Sequence, residues 1–280
     1  TGRFGKFFVP FGRTNALHPH SWSYARRPLV LEHLVDPEAL AGNGVSLSWL
    51  APTGPRVFFQ VDAGAFTKAG HTHNHSHEEA LPQAEADEEE DHHHEHDEIP
   101  AGSGAAFADK FYTVRAWSGL RMGANGEFEL GGSWARGPAA GITLSEAPLA
   151  VASRSLQLTG LDVTYRRYGR VASRLLLRGE HVWHRQKSVL GTERARGYYA
   201  LASYRWDRYN DLGVLYDWSE IAGLPGHHES AGSLIYTRQF TEQTYGRLQL
   251  TRGSRPGKAD YTEAWLQLVW GIGPHTHQLE

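Results

Sequence analysis

The sequence predicts an all-β protein, an antiparallel up-and-down transmembrane β-barrel, and three observations predict it. Apolar residues recur with period two along most of the chain, many of the alternating runs reach ten residues or more, and the connections between runs alternate between long and short. A soluble sandwich alternates too, so the period alone does not decide. Length does more, since a tilted bilayer crossing takes ~9–11 residues against ~5–6 for an ordinary soluble strand. The asymmetry of the connections adds to it, because outer-membrane barrels have short periplasmic turns and long external loops.

Composition agrees. The 280 residues include 31 Gly, 9 Trp, 12 Tyr, 11 Phe and no Cys. No run of 18 apolar residues offers a transmembrane helix. A mean hydropathy of -0.49 leaves a barrel open, because a barrel strand turns only alternate residues to lipid. The lack of cysteine excludes a disulfide scaffold, a thiolate metal site and a cysteine nucleophile. The opening TGRFGKFFVPFG already reads as a strand, so a signal peptide and further strands are expected to precede it.

Twelve strands are predicted in order: 3–12, 44–51, 56–67, 109–121, 125–136, 154–167, 171–187, 196–208, 211–221, 228–240, 243–253 and 261–272. The pattern is plainest in 211–218. There Leu212, Val214, Tyr216 and Trp218 form one face, and Asp211, Gly213, Leu215 and Asp217 the other. In 126–134 Phe128, Leu130 and Trp134 oppose Glu127, Glu129, Gly131 and Ser133. In 263–270 Ala264, Leu266, Leu268 and Trp270 oppose Glu263, Trp265, Gln267 and Val269. A slip of the apolar phase near Gly160 predicts a β-bulge in the sixth strand. Trp134, Trp206, Trp218 and Trp270 fall near strand ends, where interfacial aromatic girdles sit.

The short connections are 52–55, 122–125, 168–170, 209–210 and 241–242, and the long ones are 13–43, 68–108, 137–153, 188–195, 222–227 and 254–260. With the last strand ending in the periplasm, every long connection lies outside. Residues 1–280 then form one barrel, and 68–108 an extracellular His/acidic-rich loop within it.

Charge is unevenly spread. Residues 71–98 are dense in Asp, Glu and His and contain no Lys or Arg. The rest of the chain is net basic, and most of that charge is Arg at scattered, strand-like spacing. Clustering on one face or helix would be expected of a nucleic-acid binder, so no nucleic-acid partner is expected.

The phrases GKFFVPFGRTNALHPHSWSYARRPLV, GVSLSWLAPTGP and AWLQLVWGIGPHTH resemble bacterial outer-membrane channels of the phosphate-selective-porin-like family. That family includes members described as zinc-regulated outer-membrane receptors. The resemblance implies an outer-membrane location, a barrel of about sixteen strands and expression tied to zinc supply. One departure is the C-terminus, which runs past Trp270 to Glu280 instead of finishing on an aromatic.

Four groups of residues carry chemistry. His71, His73, His75 and His77 alternate, and His92, His93, His94 and His96 form a second cluster among carboxylates. Neutral imidazole suits Zn²⁺, Cu²⁺ and Ni²⁺, and carboxylates complete such shells. The loop is therefore expected to hold divalent metal, against the alternative of a solvated acidic loop. No cofactor is otherwise required. His18 and His20 flank a proline and would form an inner ligand station if their loop entered the pore. Ordinary loop histidines are the competing reading, and it is stronger still for His227 and His228. Arg115, Arg174, Arg178, Arg205 and Arg247 are expected to line the lumen, where guanidinium groups attract anions. Glu127, Glu129, Glu180, Asp207 and Asp217 should share it, so a lattice of Arg–carboxylate pairs bracing the wall is an equal alternative.

No catalytic set emerges: there is no G-x-S-x-G phrase and no Gly-rich phosphate loop. The expected function is a passive outer-membrane channel, not an enzyme, with an external metal-binding loop. The alternative is a general or anion-preferring porin whose His-rich loop is incidental, and a third reading is a surface-binding barrel. Expected partners are outer-membrane lipid and small solutes or ions, with homo-oligomerisation left open.

Overall fold

The computed structural model describes residues 1–68, 107–140, 142–143, 150–151, 153–170, 172–189, 191–241 and 243–271. The strands are β1 (Gly2–Phe8), β2 (Ala41–Leu50), β3 (Val57–Lys68), β4 (Phe111–Met122), β5 (Gly126–Gly137), β6 (Ile142–Thr143), β7 (Ala150–Val151), β8 (Ser153–Tyr168), β9 (Arg174–Ser188), β10 (Gly191–Arg205), β11 (Asn210–Glu220), β12 (His228–Gln239), β13 (Tyr245–Ser254) and β14 (Tyr261–Val269). All but the small β6–β7 hairpin join one 12-stranded sheet, each strand antiparallel to its neighbour and in chain order. The fold is thus all-β and up-and-down, with the twelve strands the alternation predicts. β1 and β14 are the two edges, so the sheet is open.

Two expectations are corrected. The connection 188–195 is not long: Ser188 pairs with Gly191, so β9 and β10 are joined by two residues. Gly191 takes the tight turn at φ 143. The long–short alternation therefore fails at this one hairpin, because the strands themselves run on into the expected loop. There is also no bulge at Gly160. The pairing of β8 with β9 is continuous from Ser155 to Tyr168, and its irregularity lies between Ser153 and Ser155. The phase slip has another cause. Leu161 and Val163 lie on the open face, whereas Leu156 and Leu158 lie on the opposite face and are fully buried.

Leu156 and Leu158 belong to one buried cluster with residues of the segment between β1 and β2 and with Phe107, Phe111 and Ala139. Residues 9–40 lie against one face of the sheet. They include a 3-10 turn (Pro19–Ser21) and a helix α1 (Leu29–Leu34) that starts after Pro28. α1 buries Leu29, Val30, Leu31 and Leu34 and packs on β9, β10, β11 and β12. Val30, Leu31 and Leu34, together with Val9, Phe11, Trp22, Tyr24 and Val35, make one core with Phe66, Phe111, Leu176, Val182, Leu201, Leu215 and Ile235 of the strands. Side chains of this size contribute roughly 1.5–3 kcal/mol each when fully buried, so the segment is firmly held. Asn15 closes its neck. The Asn15 amide donates to Val9 O and Leu40 O, both at 2.9 Å, and its Oδ1 accepts from Leu40 N at 2.9 Å.

The other face has no such cover. Val45, Leu47, Val114, Leu130, Leu161, Leu177, Val214, Leu234 and Leu250 are all exposed on it.

Candidate functional site

The covered face carries the charge. Side chains there alternate with the open-face apolar residues because successive residues of a strand point to opposite sides. Arg115, Arg178, Glu180, Asp217 and Arg247 are all buried on it, and Arg174, Arg205, Glu127 and Glu129 are part-buried. All nine thus share one face, as the alternation expects. Asp207 does not. It sits in the β10–β11 turn, where its carboxylate accepts from Tyr209 N at 2.7 Å and Asn210 N at 2.8 Å. Holding that turn occupies it, and strand alternation does not govern a turn residue.

The lattice centres on Arg115, which reaches across β5 to Asp162 on β8. Its two Nη atoms meet the two carboxylate oxygens at 2.5 and 2.9 Å, and Nη1 also donates to Ser133 Oγ at 3.0 Å. Ser133 in turn accepts from Gly12 N of the covering segment at 3.0 Å. Gly12 adopts φ +62, and a Cβ there would collide with the Glu180 carboxylate, so glycine is what lets the chain approach so closely. Arg166 donates to Glu129 at 2.7 Å, and Arg13 of the segment lies 3.4 Å from the same carboxylate. Arg166 is 2% exposed, yet its Nε and Nη2 have no hydrogen-bond partner among the described residues.

Glu180 ties the segment to the sheet. Its Oε1 accepts from Thr14 N at 3.1 Å, Thr14 Oγ1 at 2.9 Å and Tyr199 OH at 2.9 Å. Farther along, Gln249 Oε1 accepts from Ala25 N at 2.8 Å and Arg26 N at 3.1 Å, and Arg247 donates to Tyr24 O at 3.1 Å. Glu229 gathers the remainder. It accepts from Tyr261 OH at 2.7 Å and Arg255 Nε at 3.2 Å, and lies 3.8 Å from Arg26 and 3.5 Å from His33 Nε2. Burial, opposed by Glu229 and aided by Arg26, holds the His33 imidazole down at about 4, so it is neutral at pH 7. Burial likewise pushes the Glu32 carboxyl up. Arg205 and Arg174 lie 3.5 and 3.9 Å from Asp211.

A cavity of about 930 Å³ lies between this segment and the β13–β14 edge, lined among others by Trp22, Arg26, Arg27, Glu32, Arg255 and Trp265. A second, of about 410 Å³, lies at the other end of β3, β4 and β5 beside Arg121, Glu127 and Glu129.

The histidine expectations fare differently. His71, His73, His75, His77, His92, His93, His94 and His96 lie outside the described residues. His18 and His20 are on the covering segment, but exposed, with rings stacked at 5.5 Å and planes 7° apart. Near-parallel stacked rings keep their lone pairs in separate planes, so in this arrangement they do not converge on one ion. Among the described residues no three His, Asp or Glu side chains are grouped to hold a metal.

Missed at the sequence level were Arg13, Thr14, Arg26, His33, Asp162, Arg166, Glu229 and Gln249. The strand residues among them were legible as the polar positions of predicted strands. Those of the segment were not, since no periodicity marks a connection that folds inward.

No protein-family model matches the chain, and no solved structure matches it. Over 48 residues, 17% of this chain, it is 48% identical to an "Uncharacterized protein" of Aquifex aeolicus (strain VF5). The chain spans about a tenth of that protein's length.

Proposed function

We propose that the chain is part of a bacterial outer-membrane β-barrel, a porin-like passive channel whose interior is narrowed by residues 9–40. One observation carries this: the sheet is inverted relative to a soluble protein. Leucines and valines are exposed on the open face, while paired Arg, Asp and Glu are buried on the covered one. Soluble monomers rarely expose apolar patches of such extent, and a bilayer is the solvent that removes the penalty.

Aromatic residues bound the open face. Trp134, Trp183, Tyr198 and Trp218 stand toward one end, and Tyr165, Tyr204, Tyr236 and Trp270 toward the other. From Trp183 to Leu175 the strand runs ~27 Å at ~3.4 Å per residue. At a tilt of ~40° that is ~20 Å, close to the ~25 Å apolar band of such barrels. The resemblance to phosphate-selective-porin-like channels points the same way. The unpaired β1 and β14 edges fit a wall of more than twelve strands, because an open edge within lipid would leave backbone groups unsatisfied.

The composition of 71–98 supports a metal-capturing role for that loop at the channel mouth. For the interior, carboxylates stand beside most of the arginines, which favours a braced wall over a bare anion ladder. Arg166, whose Nε and Nη2 have no partner among the described residues, is the specific feature favouring anion preference.

The test combines topology and conductance. Cysteine at Ser188 should react with an impermeant thiol reagent on whole cells, and cysteine at Thr241 only after the outer membrane is opened. The barrel should conduct in planar bilayers, and Arg166→Gln should lower anion relative to cation permeability. Labelling at Thr241 with Ser188 protected inverts the model, and a protein that inserts without conducting ends the channel reading. Calorimetry with and without residues 71–98 tests the metal part, since equal zinc uptake by both forms removes it.

A further inference from the structure

We propose that the open face of β5, β8, β9 and β10, at the end bearing the β9–β10 hairpin, binds the phosphorylated headgroup of an anionic membrane lipid. This rests on the membrane reading above and goes beyond it by assigning a lipid class and a leaflet.

The register places the residues. Cross-strand partners share a face, so Tyr112, Arg136, Gln157, Arg185 and Arg194 form one row across β4, β5, β8, β9 and β10. Two residues nearer the sheet centre, Val114, Trp134, Thr159, Trp183 and Arg196 form the next row. Below it, His181 stacks on Trp183 at 4.0 Å, and Tyr198 stacks on Trp218 at 5.8 Å. Lys187 stands one row beyond Arg185, toward the hairpin tip. A cationic row thus sits immediately outside an aromatic row, which sits immediately outside the exposed aliphatic band.

That order matches the order of groups in a lipid leaflet: phosphate, interface, acyl chain. Indole and phenol rings settle at the headgroup level, and long basic side chains reach past them to charged headgroups. Arg136, Arg185, Arg194 and Lys187 are all exposed. Among the described residues the cluster has one carboxylate beside it, Glu220, 3.7 Å from Arg196.

The local energetics also call for a counter-ion. Arg185 and Arg194 are direct cross-strand partners, and like charges so placed repel. An anion between them reverses the sign, and guanidinium forks suit phosphate oxygens. From Arg136 to Arg194 is three strand spacings, ~14 Å. The row is therefore wide enough for a headgroup with two phosphates. At the opposite end of the open face the described arginines form no cross-strand row: Arg167 on β8 faces Gly126 and Leu175, and Arg238 on β12 faces Asn210 and Gly246. Arg170 and Arg208, also exposed there, stand in the turns, and Arg238 is engaged by Asn210 at 2.7 Å and lies over the Tyr209 ring. The preference is thus for one leaflet, on the side of the long connections.

The test is native mass spectrometry of the whole protein from neutral detergent, offered bis-phosphorylated lipid A or phosphatidylethanolamine. The wild type should retain lipid A adducts preferentially. Arg136→Gln/Arg185→Gln/Arg194→Gln should lose them at least tenfold, while the triple Lys variant keeps most of them and Arg167→Gln is unchanged. Millimolar inorganic phosphate should not displace the lipid; displacement would make this a free-anion site and overturn the proposal. Undiminished adducts on the triple Gln variant would overturn it too. Insertion of the wild type into phosphatidylcholine vesicles, read by protease protection, separates the levels. If the wild type does not insert, the membrane reading fails first. If it inserts and the Gln variant still binds lipid A, the headgroup site alone fails.

Discussion

The two faces of the twelve-stranded sheet come from the same alternating strands, yet they are solved by different physics. On the open face nothing packs over Leu177, Val214, Leu234 or Leu250, and each is about half exposed. On the covered face Leu176, Leu215 and Ile235 are within a few per cent of fully buried, and so are Arg115, Asp162 and Glu180. The uniform face needs only the right solvent. The mixed one needs partners for every polar group, because a buried charge without one is costly. Residues 9–40 supply part of them, bringing Phe11 and Val30 to the apolar positions and Thr14, Arg13 and Arg26 to the charged ones, while Asp162 and Glu129 of the strands partner Arg115 and Arg166.

The sharpest way to break this comparison is to orphan a charge on the covered face. Asp162→Ala would leave Arg115 buried with only Ser133, and should cost about 3–5 kcal/mol, read from urea unfolding in micelles. Replacing both partners by apolar residues of similar size, Arg115→Met with Asp162→Leu, should restore most of that, since the cost lies in the unpaired charge. A single variant as stable as the wild type would mean that the pair is wet and braces nothing.

The open face breaks differently. Val214→Arg puts a charge in the middle of the aliphatic band, and in a bilayer it should cost about 2–4 kcal/mol. A face exposed to water would tolerate the same change to within roughly 0.5 kcal/mol. Folding measured in vesicles and then in urea without lipid separates the two. A neutral outcome in vesicles would sharpen the comparison against the membrane, leaving a soluble sheet with an unexplained apolar surface.

How legible was this in the sequence? Every strand of the sheet was, because period two survives in each, and the faces of β11 and β14 fall as Leu212/Asp211 and Leu266/Gln267 require. The two misjudged places share one cause. At Gly160 the aliphatic phase changes sides because the covered face becomes apolar beneath Phe11, and at 188–195 a polar hairpin looks like a loop although its backbone is paired. Local pattern reports which residues are alike, not what lies against them. The site was half legible for the same reason. Arg115 and Glu180 stand at alternating polar positions, whereas Arg26 and His33 gain their meaning from a segment whose inward path no spacing encodes.

The smallest expected effect concerns that segment's own hold on the covered face, through His33. Its ring is buried on α1, 3.5 Å from Glu229, and burial keeps it neutral down to about pH 4. In the unfolded chain the same ring takes a proton near ~6.5. The unfolded state therefore binds the proton more readily, and the contribution to stability is fully present above pH ~6.5 and lost as pH falls toward 4. Between pH 6.5 and 5.5 the loss should be about 1 kcal/mol. Glu32, whose carboxyl burial pushes up, works in the opposite sense, so the wild type alone does not isolate the histidine. The comparison that does is His33→Gln, which keeps a polar side chain on α1 and removes the titration. Its urea midpoint should fall by less than the wild type's between those pH values. A Leu234→Ala variant, which leaves every titratable group in place, should keep the wild-type slope. Equal slopes for wild type and His33→Gln would show that the ring is hydrated, and that the segment is held on the covered face by Glu180 and Gln249 without help from a dry α1.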